Sequence, residues 1–232
     1  MRFNIHLKTP PHSSERVDEV LKDFDMTFDQ SSESFEGDID IDGKDWSVGL
    51  IVGSSGSGKS TIAKYLFPES YIRGFEYHNC PVLDDMPGGA ETKHIEHTFT
   101  SVGFASPPSW LKPYNVLSTG EKMRVDLARA ILSNQELIVF DEFTSVVDRT
   151  VAKTASLALQ KAIRKGGKKF VAVSCHRDIV EWLMPDWIYD TDQKSFFGLG
   201  GDLKSPLCES MFTGLETGIR NKCGTYLGSI II

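Results

Sequence analysis

Residues Gly53-Ser54-Ser55-Gly56-Ser57-Gly58-Lys59-Ser60 fit G-x-x-x-x-G-K-[ST] at every fixed position. An apolar stretch, residues 46–52, leads into the string, and a helix-forming stretch follows it through Leu66 until Pro68. This context restricts the fold more than any other feature of the chain. A buried strand must deliver the backbone into a tight glycine turn, and a helix must start at once. Such a turn points its amides inward at phosphate oxygens, and the helix start adds its positive end. Lys59 is then expected to reach the β and γ phosphates, Ser60 to bind a magnesium ion, and Thr61 to add a phosphate contact. A glycine-rich turn matching by chance would not bring both flanking elements with it.

The rest of the chain alternates apolar runs with helical patterns. Residues 1–16 read as a strand or arm followed by a loop, and 17–28 as a helix that ends in a strand. The alternation Asp38-Ile39-Asp40-Ile41-Asp42 resembles a half-exposed strand closed by Gly43. Val82, Ile95 and 102–104 mark short strands or irregular segments, and Pro107, Pro108 and Pro113 break regular structure between 105 and 114. A helix is predicted over 120–132, a buried strand over 137–140, and a helix over 151–165 stopped by Gly166 and Gly167. A buried strand over 170–174, a helical turn over 178–183 and a short strand at Ile188-Tyr189 follow. The sum is an α/β domain of three layers around a mostly parallel sheet.

The 232 residues suit one compact domain. A formal charge of −7 argues against a broadly basic nucleic-acid surface and against default binding to anionic lipid. Cys80, Cys175, Cys208 and Cys223 lack zinc or redox spacing, so free thiols in a reducing cytoplasm are expected. The amino terminus lacks the apolar core of a secretion signal, and no run of apolar residues is long enough to span a bilayer. A cytoplasmic location is the expectation.

Four further segments occur in a telling order. Leu117-Ser118-Thr119-Gly120-Glu121 opens the helix at 120. Leu137-Ile138-Val139-Phe140-Asp141-Glu142 is an apolar strand ending in two carboxylates. Ser145-Val146-Val147-Asp148 follows it, and Ser174-Cys175-His176 ends the next strand. Alone, each has a plain reading: a polar strand end, a loop histidine, or a helix capped by Ser118 or Thr119. Together with the phosphate loop they resemble the nucleotide-binding domain of ABC-type ATPases, a group of P-loop NTPases, over residues 20–192.

The resemblance implies ATP and Mg2+ as cofactors. It implies that Asp141 holds the metal through water, that Glu142 orients and activates the attacking water as general base, and that His176 senses the γ-phosphate. Ser118 and Gly120 would contact the nucleotide of a partner protomer, with Asp148 ending the dimer-interface loop, so two ATP molecules would be sandwiched in a head-to-tail homodimer.

Three departures from the family stand out. Transporter motors carry a helical subdomain between phosphate loop and signature; here residues 78–119 give a short, reduced version without a long amphipathic helix. The family's glutamine, which ends a strand, is not evident, and Ser106 is its nearest equivalent. Trp110 and Tyr114 read as local packing of a short loop, with a partner surface as the alternative. The aromatic expected to stack on adenine is Phe28 by spacing, with Phe35 as alternative, and a core role is as well supported for either. These departures favour ABC ATPases that act on nucleic acid or protein complexes. The run 103–129 resembles small microbial and phage ATPases, some fused to an acetyltransferase-like domain, for which this chain leaves no length.

The expected architecture is an ATP-binding domain over 1–192 and a tail over 193–232 that packs on it or binds a partner. The expected function is magnesium-dependent ATP hydrolysis by a dimer acting as a soluble switch on a macromolecule. The alternatives are the ATP-hydrolysing subunit of an ABC transporter and a nucleotide-gated binding module without turnover. Retention of both Asp141 and Glu142 argues against the last.

Overall fold

In chain order the elements are β1 (Arg2–Thr9), α1 (Glu15–Asp23), β2 (Ser31–Asp38), β3 (Val48–Val52), α2 (Lys59–Leu66), β4 (Tyr71–Ile72), α3 (Thr92–Ser101) and α4 (Pro107–Trp110). They continue with α5 (Thr119–Leu132), β5 (Leu137–Phe140), α6 (Arg149–Gly166), β6 (Lys169–Ser174), α7 (Val180–Leu183), β7 (Trp187–Asp190) and β8 (Ser195–Gly198). Single 3-10 turns lie at Tyr114–Val116 and Arg177–Ile179. The computed structural model describes residues 1–9, 14–27 and 31–198. Phe28 and the tail from residue 199 onward lie outside the described residues.

The main sheet has six strands in the order β4-β5-β6-β3-β7-β8. All neighbours are parallel except β8, which returns antiparallel beside β7. Strands buried on both faces read as unbroken apolar runs, and every residue of β3 is buried. Alternation assigns its side chains. Val48, Leu50 and Val52 join Phe99 of α3, Leu127 of α5 and Leu159 of α6 on one face. Ile51 joins Ile62 and Ala63 of α2 on the other, together with Phe3 and Ile5 of β1. The three-layer, mostly parallel α/β expectation therefore holds. Each fully buried Leu or Ile contributes about 1.5–3 kcal/mol of burial, which makes this double-sided core the main source of stability.

Helix ends follow their local chemistry. Asp148 caps α6, accepting from the amides of Thr150 and Val151, and Gly167 closes it at φ 72. Four expectations for individual segments need correction. Residues 24–27 do not continue from α1 into a strand; the second strand starts at Ser31. The Asp-Ile alternation is not a strand, because the ladder between β1 and β2 ends at the Arg2–Asp38 pair. Ile39 and Ile41 are nonetheless buried against the sheet. Ile95 lies in a helix, since Ile95 and Phe99 one turn apart give α3 a buried face. Pro107 and Pro108 start α4 instead of preventing structure, as the first helical positions need no amide donor. The sheet also continues past residue 192 into β8.

Candidate functional site

Register brings the motifs to one edge. Val52 lies opposite Ser174 and Phe140 opposite Ala172, so Gly53, Asp141 and His176 all follow strands that end on the same side of the sheet. Ligands of open α/β sheets bind outside the carboxyl ends of strands. Gly56 and Gly58 take φ of 80° and 85°, a left-handed path that lets the loop curl over the start of α2. No side chain caps α2 at Gly58, so its first amides are free for an anion. The Phe35 ring packs where a Cβ on Gly58 would sit, 2.2 Å away, which gives this aromatic a role beneath the loop.

Lys59 is only 9% exposed, and its ammonium folds back on the Ser54 carbonyl at 2.6 Å. Ser55 and Gly56 are exposed, whereas Ser60 and Thr61 are half-buried on the first turn of α2. The loop is held from behind. The amide and hydroxyl of Ser54 donate to Asp192 at 2.8 and 2.7 Å, and Ser57 shares a 2.5 Å hydrogen bond with Thr191. Arg177 in turn bridges Asp190 at 2.9 Å and Asp192 at 2.8 Å. Burial works against the Asp192 charge, but hydrogen bonds from Arg177 and Ser54 outweigh it and hold the carboxyl below the usual range.

Asp141 ends β5 and accepts from the Tyr71 hydroxyl, which lies near the Ser60 side chain. Burial, then the Asp141 carboxylate, pushes the Tyr71 phenol up, so it stays protonated. Glu142 follows at φ 52 and Thr144 at φ 66, two left-handed residues that are not glycine. The Thr144 hydroxyl is buried and has no partner among the described residues. Such strain persists only where the surroundings enforce it. Here the fully buried Phe143 anchors the turn, its amide donating to the Val173 carbonyl at 2.9 Å. The result is an exposed Glu142 beside the half-buried Asp141.

These groups suit a magnesium-bound triphosphate. Ser60 and Asp141 supply hard oxygens at one place, next to free amides and an ammonium. Among the described residues no cluster of three or more His, Cys, Asp or Glu could cage a metal. Mg2+ is held by one or two protein oxygens together with phosphates and water, which is what Ser60 and Asp141 could offer.

The other predicted residues occupy separate positions. Ser118 caps α5 in a reciprocal capping box: its amide and hydroxyl donate to Glu121 at 2.9 and 2.8 Å. Gly120 faces α6, where a Cβ would meet Val151 at 3.2 Å. Thr119 lines a cavity of about 790 Å³ together with Tyr71, Asp141 and Glu142. His176 is half-buried after β6, its amide donating to the Ser174 hydroxyl at 3.1 Å. Asp148 is spent on capping α6.

Ser106 stands at the start of α4 without a side-chain capping bond, 3.5 Å from the Ser109 hydroxyl. The strand that ends beside Asp141 is β4, and Tyr71 is the residue presented there. Trp110 and Tyr114 pack locally as expected. Trp110 donates to the Phe104 carbonyl at 2.8 Å, and Tyr114 stacks on Tyr77 at 3.8 Å. Sequence reasoning missed Tyr71, Arg177, Thr191 and Asp192. The Asp-Thr-Asp run after the last parallel strand was a usable signal; a strand of two residues offered none for Tyr71.

No family model matches the chain. The energy-coupling factor transporter ATP-binding protein EcfA1 of Leuconostoc mesenteroides is 26% identical over an aligned length of 242, covering 87% of this chain and 88% of the relative. The methionine import ATP-binding protein MetN 3 of Pectobacterium atrosepticum is 31% identical over 99 residues, 43% of this chain and 28% of the relative. Among solved structures, the post-hydrolysis dimer of the ATP-binding cassette MJ0796 with ADP and Pi superposes with a TM-score of 0.58 at 18% identity, over 76% of this chain and 94% of that one. CbiO1 of Clostridium perfringens gives 0.57 at 19% identity, over 80% and 88%. The relatives agree with the loops that register gathers along one sheet edge: over most of its length the chain is similar to ABC-type ATP-binding proteins, and it has the fold of their nucleotide-binding cassettes.

Proposed function

We propose that this domain binds Mg-ATP, closes on a second copy in a head-to-tail pair, and hydrolyses the nucleotide to drive a membrane-embedded transport partner. The observation that carries the reaction is the meeting of Ser60 and Asp141 at one point, with Glu142 held outward beside them by a strained turn. Ser60 and Asp141 would hold magnesium, whose positive charge would offset that of the phosphates. The amides at the start of α2 and the Lys59 ammonium hold the β and γ phosphates. Glu142 accepts a proton from the attacking water, and His176 holds the γ-phosphate side. Ser118 and Gly120 of α5 close over the partner's nucleotide, Asp148 ends the loop between protomers, and Thr61 adds a phosphate contact.

The transport reading is supported by EcfA1, a transporter ATP-binding protein along most of its own length. Among the described residues no helix is long and apolar enough to cross a membrane. One observation favours a second reading, a conformational switch on another macromolecule: between β4 and α5 lie two short α-helices, α3 of ten residues and α4 of four, and one 3-10 turn. That is little structure with which to grip a membrane subunit.

The test is the mass in solution of Glu142→Gln with and without Mg-ATP. A shift from monomer to dimer is expected, with hydrolysis reduced about 10²–10⁴-fold. Rapid turnover by this variant would overturn the general-base role, and bound ATP without any dimer would overturn the paired site. Recovery of the locked dimer with membranes would favour transport over the switch.

A further inference from the structure

Helix α1 carries an apolar face that the fold leaves open to solvent. Val17, Val20, Leu21 and Phe24 recur at the spacing of one helix face. None of the residues of α1 is buried; Val20 is 52% exposed, the C-cap Phe24 71%, and Met26 beyond it 58%. Both ends of the helix are closed. The Ser14 hydroxyl accepts from the Val17 amide at 3.3 Å, and Asp25 turns left-handed at φ 48, so that the Met26 amide donates to the Leu21 carbonyl at 2.8 Å. Phe24 therefore stands on a preformed knob, flanked in sequence by the carboxylates of Asp23 and Asp25. A side chain presented in this way loses little freedom on docking.

A groove of complementary character lies between α3 and α6. It has a volume of about 770 Å³ and an apolar lining from Ile131 of α5 and Leu157, Ala158 and Ala162 of α6. Lys153, Lys161 and Lys165 line it from α6, exposed and without an ion pair among the described residues. No carboxylate lines it among the described residues, although the whole chain has a formal charge of −7. Lys161 and Lys165 stand one turn apart and repel each other, a cost that an acidic partner would relieve. Knob and groove belong to different sides of the molecule. Strand β1, which leads into α1, packs with α2 on one face of the main sheet, while α3, α5 and α6 cover the other. The sheet separates the two, so one copy does not fill its own groove.

We propose that α1 of one copy docks in the α3–α6 groove of a second copy, with Phe24 on the apolar lining and Asp23 and Asp25 facing Lys161 and Lys165. The lengths agree: α1 spans about 14 Å, and the α6 wall of the groove, residues 153–166, about 21 Å. The contact joins two different surfaces, so each docked copy still offers one knob or one groove, and growth is head to tail unless a ring closes. It is separate from the nucleotide-driven pair. Ile131 lies near the far end of α5 from Ser118, about 20 Å along the helix. Docking through the groove therefore needs no nucleotide.

The test reads the mass of the full chain by light scattering, without nucleotide, over roughly 1–500 μM protein. Mass is expected to rise with concentration and to fall back in about 0.5 M salt, where the charge attraction is screened. Phe24→Asp should weaken association roughly 10–100-fold, the worth of one buried phenylalanine. Lys161→Glu combined with Lys165→Glu should weaken it as well. All three positions are exposed, so melting temperatures should match wild type. The deciding step mixes the two variants. The first keeps an intact groove and the second an intact knob, so the mixture should recover a dimer that grows no further. A mixture no heavier than its components overturns the second copy as occupant. A wild type that is monomeric at every concentration does the same and leaves the groove to a different partner. Association that neither variant weakens, or that requires Mg-ATP, overturns this contact and assigns the assembly to another surface.

Discussion

The two ends of the proposed composite site are built in opposite ways. The phosphate-loop end is assembled across the chain: Ser54 is held by Asp192, 138 residues away, and Asp141 meets Tyr71, 70 residues away. The signature end is satisfied within a few residues, Ser118 by Glu121 three positions on and Glu121 by Ser109 twelve positions back. An end made of distant contacts exists only in the folded domain and senses whatever moves those contacts. An end made of local ones is a stiff unit that can be presented to another protomer without rearrangement. In a head-to-tail pair the responsive end of one copy would face the rigid end of the other.

The largest expected effect comes from breaking the distant contacts. Asp192→Ala leaves the Ser54 amide and hydroxyl unpaired and Arg177 with Asp190 alone. A loss of about 2 kcal/mol is expected, a fall of about 4–8 °C in melting temperature for a domain of this size. Weaker ATP binding should accompany it, as the loop loses its rear support. Calorimetry and nucleotide titration check both, and intact ATP affinity would show that the loop does not depend on this clamp. The sign of the pH effect follows from the carboxyl. Its folded pKa lies below the unfolded value near 4, so its contribution is complete above about pH 4 and is lost as pH falls through the folded value. Wild type should therefore lose part of its advantage over Asp192→Ala on acidification below about pH 4.

Breaking the local end should cost less and act elsewhere. Glu121 carries both the reciprocal cap and the Ser109 hydrogen bond, and Ser109, then Ser118, hold its carboxyl below the usual range. Glu121→Ala is expected to cost about 1 kcal/mol. ATP affinity of the monomer should be unchanged, while nucleotide-driven dimerisation weakens because Ser118 loses the partner that orients it. A drop in monomer ATP affinity would mean that the two ends are coupled within one chain and would undo the contrast drawn above.

The same division explains what could be read in advance. The phosphate loop, the β5 carboxylates and the Ser118 cap each lie within one short stretch, so spacing and residue type disclose them. The buried strands are legible because a parallel sheet demands unbroken apolar runs. The eight-residue pairing of β1 with β2 was not legible, since Ser31–Asp38 is polar and alternates weakly. Helix α3 was hidden by its few apolar residues and by the Pro87-Gly88-Gly89 break before it. Tyr71 could not be found because its meaning comes from β4 lying beside β5, a fact of topology with no local trace.

The smallest effect probes the strain between the two ends. Glu142 holds φ 52 while its side chain is exposed, so packing gives no reason for glutamate there. Left-handed backbone is unfavourable for most side chains and tolerable for asparagine, whose short amide bonds locally. Glu142→Asn should therefore stabilise the fold by about 0.5–1 kcal/mol, a rise of about 1–4 °C in melting temperature, while hydrolysis is lost. Glu142→Gln, lost to catalysis in the same way, should show no such gain, because it keeps the long side chain on the same backbone. The pair separates backbone relief from removal of charge. A gain in both variants would assign the cost to the carboxylate beside Asp141. A gain in asparagine alone would mean that the turn keeps a strained glutamate at the cost of stability, which is what a residue retained for its chemistry requires.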